Sequence, residues 1–157
     1  MKVMTPRTNE KRSIFGAIEL ATGRWFHRIA DRANSAAFNE FLGQILDAYP
    51  SAPVIAIVLD NMSTHSSGPV QRWLAAHGRV KLLYVARYCP PSQPGGARLG
   101  GMKRHLANSP ALTMLGRLEE VHGFFRAHNR AQMLASASPF DTPWLPPGYG
   151  QKLWRAA

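Results

Sequence analysis

Val54-Ile55-Ala56-Ile57-Val58-Leu59-Asp60-Asn61-Met62-Ser63-Thr64-His65 is the stretch that decides how the rest of the chain is read. Six apolar residues run without interruption into a carboxylate, an amide, small polar residues and a histidine. The run is rich in β-branched side chains, and Pro50 and Pro53 lie just upstream. This pattern predicts a strand buried on both faces, as strands of a parallel sheet are. In α/β sheets ligands bind beyond the carboxyl ends of the strands, and Asp60 stands at that end. An isolated Asp there can equally stop the strand or cap the following turn, so its surroundings decide between the two.

Upstream, Asn34 to Tyr49 reads as a helix. Phe38, Phe41, Leu42, Ile45, Leu46 and Tyr49 recur at the spacing of one helical face. Asn34 or Ser35 can cap its first turn, and Pro50 ends it. Further back, Ser13 to Leu20 and Trp25 to Ile29 read as two arms of a hairpin around Ala21-Thr22-Gly23-Arg24, with Gly23 available for a positive φ. Downstream, Ser66-Ser67-Gly68-Pro69 opens a helix over Val70 to His77, and Val80 to Val85 forms the next buried strand. Strand, helix, strand implies a parallel pair with a right-handed crossover. Arg87 to Gly101, rich in Pro and Gly, reads as a loop. Met102 to Asn108 reads as a short basic helix and Ala111 to Asn129 as a longer one, with Leu115, Leu118, Val121, His122 and Phe125 on one side. The last residues, with Pro139, Pro143, Pro146, Pro147, Trp144 and Trp154, read as an irregular tail. No internal repeat is visible.

The 157 residues fit one ordinary domain, and a hydrophobic content of 45% excludes a disordered chain. Nineteen Lys and Arg against nine Asp and Glu give a net charge of +10, which favours a polyanionic partner such as nucleic acid. One cysteine excludes an internal disulfide and a cysteine-rich zinc site, and fits a reducing cytoplasm. No apolar run approaches the roughly 18–20 residues of a membrane span, and no signal-peptide core stands at the N-terminus.

The ordered series Asp60-Asn61, three residues and His65, then helix, strand, Tyr88-Cys89-Pro90 and Met102-Lys103-Arg104 resembles the DDE transposases of bacterial insertion sequences, in the mariner-type superfamily. Phe15-Gly16-Ala17, Thr22-Gly23, Phe41-Leu42 and Tyr49-Pro50 match the same family's upstream run. The resemblance covers roughly Asn9 to Ala127. It implies an α/β, ribonuclease H-like fold: a mixed sheet flanked by helices, carrying three carboxylates that hold two Mg²⁺ or Mn²⁺ ions. Such ions prefer hard oxygen ligands and promote in-line attack on a phosphodiester. The partner it implies is DNA, both transposon ends and target.

The chain departs from that pattern in a consequential way. An ungapped match places Gly96 where the family has its third acid and Leu99 where it has a tryptophan. No Asp or Glu occurs between Asp60 and Glu119. The first acid belongs on a strand before Ser13, where Glu10, in a polar Lys/Arg segment, is the only acid. The expectation is therefore a partial domain over residues 13–130, lacking the first central strand and preceded by a basic arm over 1–12. An irregular tail over 131–157 follows.

Of the catalytic and metal-binding acids only Asp60 remains, with Asn61 and His65 supporting its loop. Arg87, Arg98, Lys103 and Arg104 are the candidate DNA contacts. Glu119 and Glu120 read as a solvated helix face rather than a replacement acid. Three functions are open at this point. The chain is an insertion-sequence transposase fragment, inactive alone. It is a non-catalytic DNA-binding or dimerising remnant, a homodimer or a partner of an intact transposase, that interferes with the latter. Or it is an independent basic α/β domain.

Overall fold

A computed structural model describes residues 10–84, 94–109 and 113–137. Four strands and five helices occur among them: β1 (Ser13–Ile18), β2 (Trp25–Ala30), α1 (Ser35–Ala48), β3 (Ile55–Leu59), α2 (Gly68–Ala76), β4 (Val80–Tyr84), α3 (Pro94–Ala107), α4 (Met114–Arg126) and α5 (Arg130–Ala137). They fall into two compact units. Of the described residues, one holds 12–16 and 26–84, and the other holds 10–11, 17–25, 94–109 and 113–137.

In the first unit α1 supplies the core. Asn34 caps it, its Oδ1 accepting the Ala37 N–H at 2.9 Å. Phe38, Phe41, Leu42 and Ile45 are buried, Leu42 completely. Burying such side chains stabilises by about 1.5–3 kcal/mol each. Phe15 of β1 packs on Phe38 and Phe41, ring centroids 5.9 and 5.8 Å away. Phe26 of β2 packs on Tyr49 at 5.8 Å. The end of α1 is closed from a distance. The Arg79 guanidinium donates to the carbonyls of Tyr49, Pro50 and Ala52, at 3.2, 3.0 and 2.7 Å. A cation just past the end of a helix also opposes the negative end of its dipole.

β3 and β4 pair in parallel, Ile55 opposite Val80 through Leu59 opposite Tyr84, with α2 as the crossover. β1 and β2 pair separately. Joined by six residues, they can only run antiparallel. Among the described residues the antiparallel and parallel pairings that a mixed sheet would combine form two two-stranded ladders. β3 is also not buried on both faces. Ile55, Ile57 and Leu59 turn inward, whereas Ala56 and Val58 are exposed. An unbroken apolar run carries no alternation, so periodicity could not reveal that one face lies open.

In the second unit the turn Glu19–Arg24 is held by Glu19 N–H to Arg24 O and Gly23 N–H to Glu19 O, both at 2.8 Å. Gly23 has φ of +75°, and an added Cβ would lie 2.3 Å from the Arg130 carbonyl oxygen. Glycine is needed there twice over, for the backbone angle and for the close approach. Trp25 stacks on Phe125 at 4.9 Å.

α3 overturns the expected loop over Arg87–Gly101, since the helix begins at Pro94. Proline suits a first helical turn because its missing N–H has no partner to lose there. The glycine pairs disfavour helix by about 1 kcal/mol per residue. Burial of Met102 supplies a compensating contact, and at Gly101 an added Cβ would meet Phe124 at 3.6 Å. In α4, Val121 and Phe125 are buried as expected, but Leu115 and His122 face outward. The tail expected to be irregular from residue 131 begins as helix α5, with Met133 buried and α3 packed against it.

Candidate functional site

The carboxyl end of β3 feeds a loop over residues 60–67 whose geometry is set by the backbone. Asp60 Oδ1 accepts the Met62 N–H at 3.2 Å, the local bond by which Asp shapes a turn two residues on. His65 N–H donates to Met62 O at 2.9 Å. The His65 ring then folds back. Its Nδ1 lies 3.2 Å from the Asp60 carbonyl oxygen and 3.2 Å from Asp60 Oδ1, and an Nδ1–H donates to this pair of oxygens.

His65 is buried and its ring lies against Phe38, centroids 4.4 Å apart. The Tyr84 hydroxyl, at the end of β4, donates to the His65 carbonyl at 2.9 Å. Beyond His65, Ser67 Oγ donates to Thr64 O at 2.8 Å and lies 2.8 Å from Ser35 Oγ, tying the start of α2 to the start of α1. The loop is thus fixed by elements on three sides, and Asp60 is presented half-exposed at its rim.

The other sequence candidates separate into three cases. Asn61 lies exposed on the same loop. Lys103 and Arg104 are exposed on α3, in the second unit, and Arg98 lies in the same helix. Arg87 falls outside the described residues. Glu119 is exposed, whereas Glu120 receives His105 Nε2 from α3 at 2.7 Å. Tyr84 and Phe38 were not among the candidates. Tyr84 had a usable signal: in a parallel pair read as 54–59 and 80–85, a polar side chain near the end of the second strand reaches the loop leaving the first.

A ribonuclease H-like fold implies a pair of divalent cations held by carboxylates. Asp60 is the one carboxylate on this loop, and its Oδ1 already takes an N–H and faces an imidazole nitrogen. Among the described residues no three His, Cys, Asp or Glu side chains gather to hold a metal ion. This donor set does not fit a two-cation site. No helix among the described residues is long and apolar enough to cross a membrane.

Comparison with known proteins gives a consistent answer. The sequence profile of the DDE superfamily endonucleases matches residues 2–118. The insertion element IS630 uncharacterized 39 kDa protein of Shigella sonnei is 30% identical over 89 residues, which is 57% of this chain and 26% of that protein. The chain thus aligns with about a quarter of this curated relative's length. The crystal structure of the catalytic domain of Mos1 mariner transposase superposes with a TM-score of 0.69 at 14% identity, covering 99% of this chain and 78% of that one. The Mos1 mariner paired-end complex with Mn gives 0.66 at 13%, covering 98% of this chain and 45% of that one. The same catalytic domain with Raltegravir and Mg gives 0.64 at 14%, covering 91% and 73%. These likenesses establish the ribonuclease H-like fold.

Proposed function

Because this chain belongs to the DDE superfamily endonucleases, as an insertion-sequence transposase of the mariner and IS630 type, we propose that it works on transposon DNA in the cytoplasm as a binding rather than a cutting component. The observation that carries this reading is Asp60. It sits at the carboxyl end of β3, where the fold's chemistry is expected, yet its carboxylate is engaged by its own loop. Gly96, in the first turn of α3, supplies no ligand where the family pattern has an acid. One carboxylate cannot gather two hydrated cations beside a phosphate, because each needs several hard oxygen ligands and charge to offset its own. Asp60 with Asn61 and His65 is then the part of a Mg²⁺ or Mn²⁺ site that these residues carry, with weak metal affinity by itself.

DNA contact falls to the cations. Lys103 and Arg104 are exposed on α3, and with Arg87 and Arg98 they form the expected phosphate-binding set. Binding of this kind is sequence-tolerant and releases counterions, so it weakens steeply with salt. A second reading follows from the same set: by occupying DNA ends or an intact transposase, the chain interferes with transposition. The relative solved in a paired-end complex makes DNA ends the natural probe.

The test is a nicking assay on insertion-sequence end DNA with Mg²⁺ or Mn²⁺, run beside a salt titration of binding. We expect no cleavage, and an affinity that falls at least tenfold between 50 and 200 mM salt, the direction expected when several phosphates are neutralised. Cleavage that disappears in Asp60→Ala would overturn the non-catalytic reading. Binding that is absent or indifferent to salt would return the chain to an independent basic domain.

A further inference from the structure

Met62 stands two residues past Asp60 in the loop that leaves β3, and it is 47% exposed. A single exposed methionine is ordinary on a protein surface. This one differs in how its backbone is held. Its N–H donates to Asp60 Oδ1 at 3.2 Å, and its carbonyl accepts the His65 N–H at 2.9 Å. The main chain is pinned on both sides while the side chain stands in water. A backbone ordered in advance lowers the cost of any contact its side chain then makes. Tyr84 flanks the same loop. Its hydroxyl is committed to the His65 carbonyl, yet the residue remains 41% exposed. Two apolar surfaces thus adjoin the half-exposed Asp60 carboxylate.

Charge narrows what can rest there. The chain carries +10, but no Lys or Arg occurs from residue 33 to residue 71. The loop therefore brings no phosphate contact of its own, and the Asp60 carboxylate repels a phosphate placed beside it. The neutral part of a nucleotide is its base. Inside a duplex a base has both faces covered by its neighbours, so an apolar side chain reaches a face only where the stack ends or opens. Methionine suits such a contact, because its unbranched, polarizable thioether adapts to rings of different shape.

We infer that Met62, with the Tyr84 ring beside the same loop, seats an unpaired base at the end of a DNA strand, next to Asp60. The seat rests on the DNA-binding function proposed for this chain and adds to it a preference for DNA form. The cations of α3 hold phosphates whatever the DNA end, whereas this loop distinguishes an unpaired end from a blunt one. Contact with base faces is tolerant of sequence, so the preference is for unpaired structure and not for particular bases.

The test compares two mixed-sequence duplexes at one salt concentration, one blunt and one with a short unpaired 3′ tail. Binding is measured together with the NMR signals of methyl-labelled methionine in the full chain. The chain has six methionines, and Met62→Ser assigns the Met62 signal by its loss. We expect the tailed duplex to bind about fivefold or more tightly than the blunt one. We also expect the Met62 methyl signal to move upfield with the tailed duplex alone, since a base face shields a methyl group lying over it. Met62→Ser should abolish the preference and Met62→Leu should keep it. Leu115→Ser, which removes a large apolar side chain 68% exposed on α4, should leave it unchanged. Equal binding of the two duplexes overturns the seat and leaves the proposed function standing. So does a tail preference that persists in Met62→Ser, or a Met62 signal that stays in place when the tailed duplex binds. A Met62 signal that moves with protein concentration in the absence of DNA also overturns it, by assigning the residue to a protein contact. A chain that binds neither duplex overturns the seat and the proposed function together.

Discussion

Asp60 and Glu120 are both carboxylates beside a histidine, and they are held in opposite ways. Asp60 and His65 lie five residues apart in one loop. Their approach is dictated by two turn bonds through Met62, by Phe38 against the imidazole and by Tyr84 on the His65 carbonyl. Glu120 and His105 lie fifteen residues apart on α4 and α3, both substantially exposed, and meet through one contact of 2.7 Å. The first pair belongs to a framework of backbone bonds and ring packing. The second depends on its own attraction, which water and salt weaken. Position at the end of a parallel strand, and not only a neighbouring histidine, is what sets Asp60 apart from Glu120.

The largest effect should come from His65→Ala. It empties a buried ring site against Phe38, at a cost of about 2–4 kcal/mol by analogy with other large-to-small core changes. Thermal unfolding should show a drop of roughly 5–15 °C for a chain of this size. A change under 2 °C would mean that the ring does not organise the loop.

Tyr84→Phe keeps the ring and deletes the hydroxyl that donates to His65 O. The expected loss is about 1 kcal/mol, the usual net worth of one hydrogen bond, read by urea denaturation. Asp60 divides the turn from the charge. Asp60→Asn keeps an acceptor for the Met62 N–H and should change stability by less than about 0.5 kcal/mol, whereas Asp60→Ala should lose about 1 kcal/mol, as losing a cap does. Equal effects of the two substitutions would place the importance in the charge and not in the turn.

The smallest effect belongs to the exposed pair. A double-mutant cycle on His105→Ala and Glu120→Gln should give a coupling below about 1 kcal/mol that vanishes in 1 M NaCl, where screening acts within about 3 Å. A cycle on Asp60→Asn and His65→Ala should be less sensitive to salt, since its geometry is imposed by backbone and packing.

How much of this was legible in the sequence depended on whether structure was local. The apolar period of α1, the Asn34 cap, the positive φ of Gly23 and the β3–α2–β4 crossover are each written in neighbouring residues, and each is found. The ribonuclease H-like fold was legible through the ordered family resemblance. The start of α3 was not, because Gly95, Gly96, Gly100 and Gly101 disfavour helix locally. Contacts such as the buried Met102 and the close approach of Phe124 come from elsewhere in the fold. α5 is short, and Met133 is its one buried apolar anchor, so a period could not announce it. In the site, Asp60, Asn61 and His65 were brought together as one loop, while Tyr84 and Phe38 reach it across the fold. Leu115 shows the reverse error: helical spacing placed it inward, but α4 turns it to solvent.

Arg79 has a consequence for how the protein opens. Its carbonyl receives Ile55 N–H at the base of β3, while its guanidinium grips the turn leading there. At the opposite end of the same ladder Tyr84 fastens the exit loop. Two parallel strands of five residues would ordinarily fray from both tips. Latched at each, they should instead come apart in one step, so the inward amides of β3 should share a single opening free energy rather than a gradient from tip to centre.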